Sequence, residues 1–263
     1  MTKQNKQKEI VKFLGETFDK TGKTRAVIGL SGGIDSATSF FLLRKVLPIE
    51  NINAVYMPYN LSKAKISSSA YSDGEPTEVE QRVSRMCRKS GLPTQNFLSI
   101  PIKGMVDQLA RGLKTDDKAR KGNIMARVRM IILFDLAKKF DALVCGTENK
   151  SEHHLGYFTR FGDEASDIEP IRHLYKSQIR ELAKELGVPQ EVLDAVPTAG
   201  LWDGQTDEGQ FGFTYKEADQ ILKAFFEGES LKSLQARLPN AKKILKLMKA
   251  NEFKHLVPYA LEG

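Results

Sequence analysis

The stretch that decides the fold is Arg25-Ala-Val-Ile-Gly-Leu-Ser-Gly-Gly-Ile-Asp-Ser36. Its first half is a short apolar run, which is typical of a buried strand, and this run breaks into a turn of serine and glycine. Apolar residues then recur at helical spacing, at Ala37, Phe40, Phe41 and Leu43. The turn is therefore predicted to join a strand to a helix.

The composition of this turn favours the binding of phosphate. Paired glycines let backbone N–H groups approach an anion, and the helix amino terminus behind them adds a favourable dipole. Ser31 and Ser36 can donate hydrogen bonds to phosphate oxygens, and Asp35 can hold a divalent metal ion. The turn is not a Walker A loop: Gly22-Lys23-Thr24 precedes the strand, and Thr17 stands where that motif needs its first glycine.

Outward from this turn, short apolar runs alternate with amphipathic segments. The further strands are predicted at 52–59, 97–102 and 141–146. This alternation predicts an α/β fold, a doubly wound and mainly parallel sheet flanked by helices, in a single domain over residues 1–263. Long polar loops are predicted at 60–76, 147–170 and 197–213, and loops of this length are usually functional or mobile.

The helices are predicted from apolar stripes. Ile10, Phe13, Leu14 and Phe18 form one, and Ile124, Val128, Ile131 and Ile132 form a second, with Met125 and Met130 off the stripe. Residues 176–186 are predicted helical with Ile179, Leu182, Ala183 and Leu186 on one face. Thr214 and Glu217 match a capping box at the start of another helix. The surplus of apolar residues around Ile131 predicts a homodimer interface.

Composition excludes several classes of protein. Hydrophobic residues make up 41% and charged residues 28% of the 263 residues, and no apolar run approaches the length of a membrane span. The polar amino terminus is not a signal peptide, and Cys87 and Cys145 lie in apolar stretches without metal-type spacing. A cytoplasmic protein with reduced thiols is predicted. The net charge of +7 attracts polyanions, which leaves open nucleic acid or a phosphorylated small molecule.

A family resemblance chooses between these partners. Ser31-Gly-Gly-Ile-Asp-Ser36 resembles the pyrophosphate loop of the N-type ATP pyrophosphatases, which cleave ATP between its α and β phosphates. Later segments are similar to ammonia-dependent NAD+ synthetases in order and spacing over nearly the whole chain. These segments are Gly122 to Met130, Gly146-Thr-Glu-Asn-Lys-Ser-Glu152, Gly156 to Asp163, Asp167-Ile-Glu-Pro170, Pro197-Thr-Ala199 and Phe253-Lys254.

The resemblance implies a role for each matching position. The residues expected to contact ATP are Gly29, Leu30, Ser31, Gly32, Gly33, Ile34, Asp35, Ser36, Thr147, Lys176 and Thr198. Asp35 and Glu152 are expected to hold Mg2+. The residues expected to bind deamido-NAD+ are Arg127, Arg160, Asp167, Phe253 and Lys254. The family also implies a homodimer with the dinucleotide site at the subunit interface.

Two segments depart from the family pattern. Residues 60–73 form a longer stretch than the family's Ser-rich segment, so no contact is carried over to them. Glu164 stands where the family favours a small residue, which affects the expected conformation of the segment 147–170.

The implied reaction is the ATP-dependent amidation of deamido-NAD+ through an adenylated intermediate, with release of AMP and pyrophosphate. The phosphate loop begins at residue 29, so no amino-terminal glutaminase domain is expected and ammonia is the predicted nitrogen source. The alternatives are a GMP synthetase-like enzyme or a tRNA-modifying member that binds nucleic acid. The block Phe158 to Asp163 argues against the first, and the second lacks an RNA-binding module or a cysteine pair suited to sulfur transfer.

Overall fold

The computed structural model describes residues 3–59, 76–198 and 205–256. The strands are β1 (Ala26–Gly29), β2 (Ile52–Tyr56), β3 (Phe97–Ser99) and β4 (Leu143–Cys145). The helices up to the last strand are α1 (Lys3–Thr21), α2 (Ile34–Leu43), α3 (Glu78–Lys89), α4 (Lys103–Gly112) and α5 (Lys118–Phe140). Those after it are α6 (Lys150–Leu155), α7 (Lys176–Glu185), α8 (Gln190–Leu193), α9 (Asp207–Phe211), α10 (Tyr215–Phe226), α11 (Leu231–Arg237) and α12 (Ala241–Asn251).

The four strands form one parallel sheet in the order β3-β2-β1-β4. Ala26 of β1 is in register with Ile52 on one side and with Leu143 on the other. The chain therefore moves outward from β1 to β3 and then crosses back to place β4 on the opposite side of β1. A reversal of this kind opens a crevice at the carboxyl ends of the strands, where α/β proteins bind their ligands.

Both faces of the sheet are covered by helices, which confirms the doubly wound arrangement. Ala26 and Ile28 of β1 face a core with residues of α1, α2 and α7. Val27, between them, faces a second core with residues of α4 and α5. Because both faces are buried, the strands are almost continuously apolar, and this is why the sequence displays them as short hydrophobic runs.

A third core holds the helices that follow the sheet. Residues of α6, α10, α11 and α12 pack together with Phe211 and Phe213, whose rings stack 5.1 Å apart. Leu155 anchors α6 in this core and is fully buried. The core therefore fixes α6, which bears Glu152, relative to α10.

The predicted stripe of α5 is wrong in part. Val128 is buried, but Ile131 is 59% exposed, while Met125, predicted to lie off the stripe, is 1% exposed. The buried face of α5 also includes the small residues Gly122, Ala126 and Ala137. Small side chains let the helix approach the sheet closely, and a pattern built on large apolar residues does not detect such a face.

Other local predictions are corrected by tertiary packing. Phe13 of the α1 stripe is 45% exposed. The predicted loops 147–170 and 197–213 contain α6 and α9, and the loop 60–76 lies outside the described residues except for its last position. Thr214 caps α10 as predicted. The carboxylate of Glu217 does not complete the capping box, because it accepts hydrogen bonds from Asn240, the N-cap of α12.

Within the described ranges no helix is long and apolar enough to cross a membrane. The cytoplasmic location stays a prediction.

Candidate active site

The phosphate-type loop lies between β1 and α2, at the carboxyl end of the central strand. Gly32 has a φ of +81°, and a Cβ there would lie 2.8 Å from Val79, so the position requires glycine. Ser36 Oγ donates to the carbonyl oxygen of Gly33 at 3.1 Å and lies 3.1 Å from Ser31 Oγ. Gly33 is the N-cap of α2 and no side chain caps it, so the first N–H groups of this ten-residue helix remain available to an anion.

An ionic cluster stands beside this loop. Lys176, the first residue of α7, forms ion pairs with Asp35 of α2 and with Glu152 of α6; its Nζ lies 3.2 Å from Glu152 Oε1. Asn149 Nδ2 donates to the other oxygen of Asp35 at 3.3 Å. The side chain of Lys176 is only 10% exposed. Three helices thus bring together residues that are far apart in the chain.

Burial and the neighbouring charges have opposite effects on the ionisable groups of this cluster. Burial raises the pKa of Glu152; Lys176 opposes this rise, while the charges of Asp35 and Asp207 add to it. Burial alone lowers the pKa of Lys176, but Asp35 and Glu152 outweigh it, so the pKa is raised and the ammonium group stays charged. One ammonium group faces three carboxyl groups, those of Asp35, Glu152 and Asp207. A further cation would favour the charged form of Glu152, so the cluster is suited to bind one.

Glu152 is held in place by its own helix. Asn149 is the N-cap of α6, and its side chain accepts a hydrogen bond from Glu152 N at 2.9 Å. In return, Glu152 Oε2 accepts from Asn149 N at 3.4 Å, which completes a capping box. One carboxylate oxygen thus orders the turn, and Oε1 remains directed at Lys176. The Asn-x-x-Glu spacing is visible in the sequence as a helix start, but its position next to Asp35 is not.

Asp35, Glu152 and Lys176 line a cleft of about 510 Å³ at the carboxyl ends of the strands. This volume is suited to a small-molecule ligand. Every residue predicted to contact ATP or metal borders it: Gly29, Leu30, Ser31, Gly32, Gly33, Ile34, Asp35, Ser36, Thr147, Glu152, Lys176 and Thr198. The structure thus brings this predicted set together.

The cleft also has lining residues that the sequence did not single out as contacts. Arg82 lies beside Gly32, and its buried Nε has no hydrogen-bond partner among the residues described. Arg129, which lies in the family-like segment Gly122 to Met130, donates from Nε to the carbonyl oxygen of Met57 at 3.2 Å. Asp207 is 4% exposed and completes the acidic side. Arg82 and Asp207 carry no local sequence signal that distinguishes them from surface charges.

The model of the NAD synthase family matches residues 6–258 of the chain. The chain belongs to the NAD synthase family. It is 40% identical to the NH(3)-dependent NAD(+) synthetase of Fusobacterium nucleatum, over 95% of this chain and 92% of the relative. It is also 40% identical to the enzyme of the same name from Thermoplasma volcanium, with 97% of both chains covered.

Solved structures of the NAD synthase family have the same fold. The NH3-dependent NAD synthetase of Campylobacter jejuni, in complex with nitrate, superposes with a TM-score of 0.79 at 30% identity, over 100% of both chains. The NMN synthetase of Francisella tularensis gives a TM-score of 0.78 at 30% identity, over 100% of this chain and 99% of the other. The predicted NAD+ synthetase resemblance and the predicted fold class are confirmed by these comparisons.

The second predicted set, Arg127, Arg160, Asp167, Phe253 and Lys254, lies outside the lining of this NAD synthase cleft. Arg127 Nη2 donates to the carbonyl oxygen of Arg160 at 3.2 Å, and the guanidinium of Arg160 lies 5.1 Å from the centre of the Phe253 ring. Lys254 Nζ donates to the carbonyl oxygens of Gly156 at 2.6 Å and Phe158 at 3.1 Å. Four of the five residues therefore surround the segment 156–160.

Asp167 has a different position from the other four. Its Oδ2 accepts a hydrogen bond from Val144 N at 2.7 Å, so the carboxylate is engaged by the backbone of β4. The chain from 156 to 163 borders the cleft through Thr159, Gly162 and Asp163. The other four residues predicted to bind deamido-NAD+ therefore contact a segment that also lines the cleft.

Proposed function

We propose that this chain converts deamido-NAD+ to NAD+ with ammonia and ATP, through an adenylated carboxylate, with release of AMP and pyrophosphate. The observation that carries the proposal is the ionic cluster of Asp35, Glu152 and Lys176 beside the open amino terminus of α2. It occurs in a member of the NAD synthase family whose relatives are named for NH3-dependent NAD+ synthesis.

The loop after β1 is suited to the leaving pyrophosphate. The backbone N–H groups at the open amino terminus of α2 and the hydroxyl of Ser31 can donate to its oxygens, and Arg82 adds a positive charge on the same side. In the reaction, the substrate carboxylate attacks the α phosphate and forms a mixed anhydride with AMP, because a free carboxylate is a poor acyl donor. Donors that are already oriented stabilise the charge that develops at phosphorus without reorganising.

Asp35 and Glu152 fit Mg2+, which enzymes of this kind hold through one or two carboxylates together with substrate phosphates. Among the residues described, no group of three or more His, Cys, Asp or Glu side chains could hold a metal alone, which agrees with a metal ion that is shared with ATP. When bound, Mg2+ supplies charge neutralisation at the phosphates. Lys176 lies between the two carboxylates, and its ammonium group can leave them to bind phosphate oxygens when ATP is present.

The second step, attack of ammonia on the activated carbonyl, needs no protein nucleophile. Cys145 borders the cleft, but burial raises the pKa of its thiol well above the usual value, so it stays protonated and unreactive. The protein instead positions the intermediate and excludes water from it. Relatives named NH(3)-dependent NAD(+) synthetases support ammonia as the nitrogen source. The single-domain organisation stays a prediction for this chain.

The deamido-NAD+ site is proposed at Arg127, Arg160, Asp167, Phe253 and Lys254, which combine positive charge with an aromatic face. Arg127 lies on α5 near the exposed Ile131. The neighbouring helix α4 also exposes an apolar row, at Met105 and Leu109 and at its C-cap, Leu113. We propose that α4 and α5 form a homodimer interface, so that the dinucleotide site draws on both subunits.

One assay tests the reaction: purified protein with ATP, Mg2+, ammonium and deamido-NAD+, read out as NAD+, AMP and pyrophosphate. ADP and orthophosphate as primary products contradict the proposal, and glutamine free of ammonia should not support turnover. Nicotinate mononucleotide is a second acceptor arm, because the Francisella tularensis structure is named an NMN synthetase. Xanthosine monophosphate and tRNA are the arms for the other N-type ATP pyrophosphatases.

A further inference from the structure

Tyr215 contacts the ionic cluster from the protein interior. It is the first residue of α10, is 4% exposed and lies outside the lining of the cleft. Its hydroxyl oxygen lies 3.1 Å from Asp207 Oδ2 and 3.3 Å from Glu152 Oε1. The centre of its ring lies 4.9 Å from Lys176 Nζ. One buried side chain therefore contacts three ionisable groups of the site.

The hydroxyl has one proton, so it donates to one carboxylate at a time. Asp207 has a second hydroxyl within reach, because Tyr157 lies 3.3 Å from its Oδ1. Glu152 Oε1 is contacted by Lys176 and by Tyr215, while its Oε2 is used in the capping box of α6. If Lys176 turns toward phosphate, Tyr215 is the group that keeps Oε1 in position.

The position of the hydroxyl is fixed from several sides. Tyr215 N donates to Glu208 Oε1 at 2.9 Å, and Thr214 caps α10 by accepting from Glu217 N at 3.2 Å. The ring packs edge-on against Phe211, with the ring centres 5.7 Å apart. Because the tyrosine side chain is already ordered, it can hold a carboxylate without losing further rotamer freedom when a ligand binds.

We infer that Tyr215 is a positioning residue that holds the Glu152 carboxylate for the metal–ATP complex. The inference rests on the proposed function, because it requires metal–ATP to bind at Asp35 and Glu152. Groups that hydrogen-bond a metal-binding carboxylate set its orientation, and their removal typically weakens metal binding about 10–100-fold. The α10 helix, which belongs to the third core and not to the sheet, thereby becomes part of the metal–ATP site.

The test is Tyr215→Phe, which removes only the hydroxyl and keeps the ring against Lys176 and Phe211. Binding of Mn2+ to the protein in the presence of saturating ATP is measured by electron paramagnetic resonance. We expect binding to be about tenfold weaker, at the lower end of the range for such partners. The Mg2+ concentration for half-maximal turnover should rise by a similar factor, while kcat at saturating Mg2+ falls less.

Thr214→Ala is the matched control, because it removes the cap of the same helix and leaves the hydroxyl in place. It should lower the Tm of the protein and leave Mn2+ binding within about twofold of the wild type, since caps act on helix stability. If Thr214→Ala weakens Mn2+ binding as much as Tyr215→Phe does, the effect belongs to helix stability and the inference is wrong.

A double-mutant cycle locates the action of the hydroxyl. In a Glu152→Gln background, Tyr215→Phe should change Mn2+ binding by less than about twofold. A further tenfold loss in that background, or Tyr215→Phe binding Mn2+ as the wild type does, overturns the inference. Failure of the wild type to form NAD+ overturns the proposed function instead, since Mn2+ binding with ATP is measured without deamido-NAD+.

Discussion

Gly146→Ala, at the carboxyl end of β4, tests how closely the Glu169 carboxyl group packs against the turn that bears Thr147. A Cβ at Gly146 would lie 1.8 Å from Glu169 Oε1 and 2.3 Å from its Cδ, whereas Cβ atoms essentially never approach another atom within 3.0 Å. The methyl group therefore forces the Glu169 side chain to rotate away. Because Thr147 lines the cleft, the displacement should reach the proposed ATP site.

The magnitude follows from the hydrogen bonds that Glu169 would lose. Its carboxyl group accepts from Ser166 Oγ at 2.8 Å and from Glu148 N at 3.2 Å. Burial raises the pKa of Glu169 to about 8, so the group is mostly neutral at pH 7. The bond to Ser166 is then worth about 1 kcal/mol, and a buried Glu148 N–H without a partner costs about 1–3 kcal/mol. We expect a loss of about 3 kcal/mol, or roughly 6–12 °C in Tm.

Urea unfolding and calorimetry measure this loss, with Gly104→Ala as the matched control. A Cβ at Gly104, inside α4, meets nothing within 4 Å, so this variant should be at least as stable as the wild type. In a Glu169→Ala background the nearest remaining atom is Ser166 Oγ, at 2.7 Å from the added Cβ, and a serine side chain can rotate away. The added cost of the methyl group should therefore shrink in that background. The reasoning is refuted if Gly146→Ala unfolds like the wild type, or if it costs the full amount in both backgrounds.

Three further predictions concern charge and assembly. The folded pKa of Glu169, about 8, exceeds its ordinary value of 4.5, so its contribution to the unfolding free energy falls as pH rises from about 4.5 to about 8. Glu169→Gln should therefore flatten the dependence of the unfolding free energy on pH in this range. An unchanged slope would contradict the raised pKa of Glu169. Asp35→Asn should lower kcat by at least about 100-fold in a pyrophosphate-release assay, with little change in deamido-NAD+ binding; turnover near the wild-type rate at ordinary Mg2+ concentrations would exclude a metal role. Ile131→Glu should give a folded, inactive monomer in sedimentation and circular dichroism, because Ile131 is exposed in the subunit; a folded and fully active monomer would remove the shared dinucleotide site.

Some predictions were confirmed because they depend on local physical constraints. The run before Ser31 is almost uniformly apolar, since a parallel strand is buried on both faces, and β1 is found there. The positive φ of Gly32 and the close approach of Val79 leave room for glycine alone, so the turn is visible in the sequence. The series of motifs from Ser31 to Lys254 identified the family, because their order and spacing match those of the family over nearly the whole chain.

Other features depend on where distant elements meet, and no local pattern contains that information. Lys176 pairs with Asp35 across 141 positions of the chain because β4 returns beside β1 and carries α6 and α7 to α2. The hydroxyl of Tyr215 reaches Glu152 across 63 positions because α6 and α10 share a core. Ile131 and Met125 are both large apolar residues on one helix, yet only packing against the sheet decides that Met125 is buried and Ile131 exposed. The sequence by itself determined the strands, the glycine-rich turn after β1 and the family. The tertiary structure decided which charges share a site and which apolar side chains remain at the surface, since both depend on contacts between segments that are not neighbours in the chain.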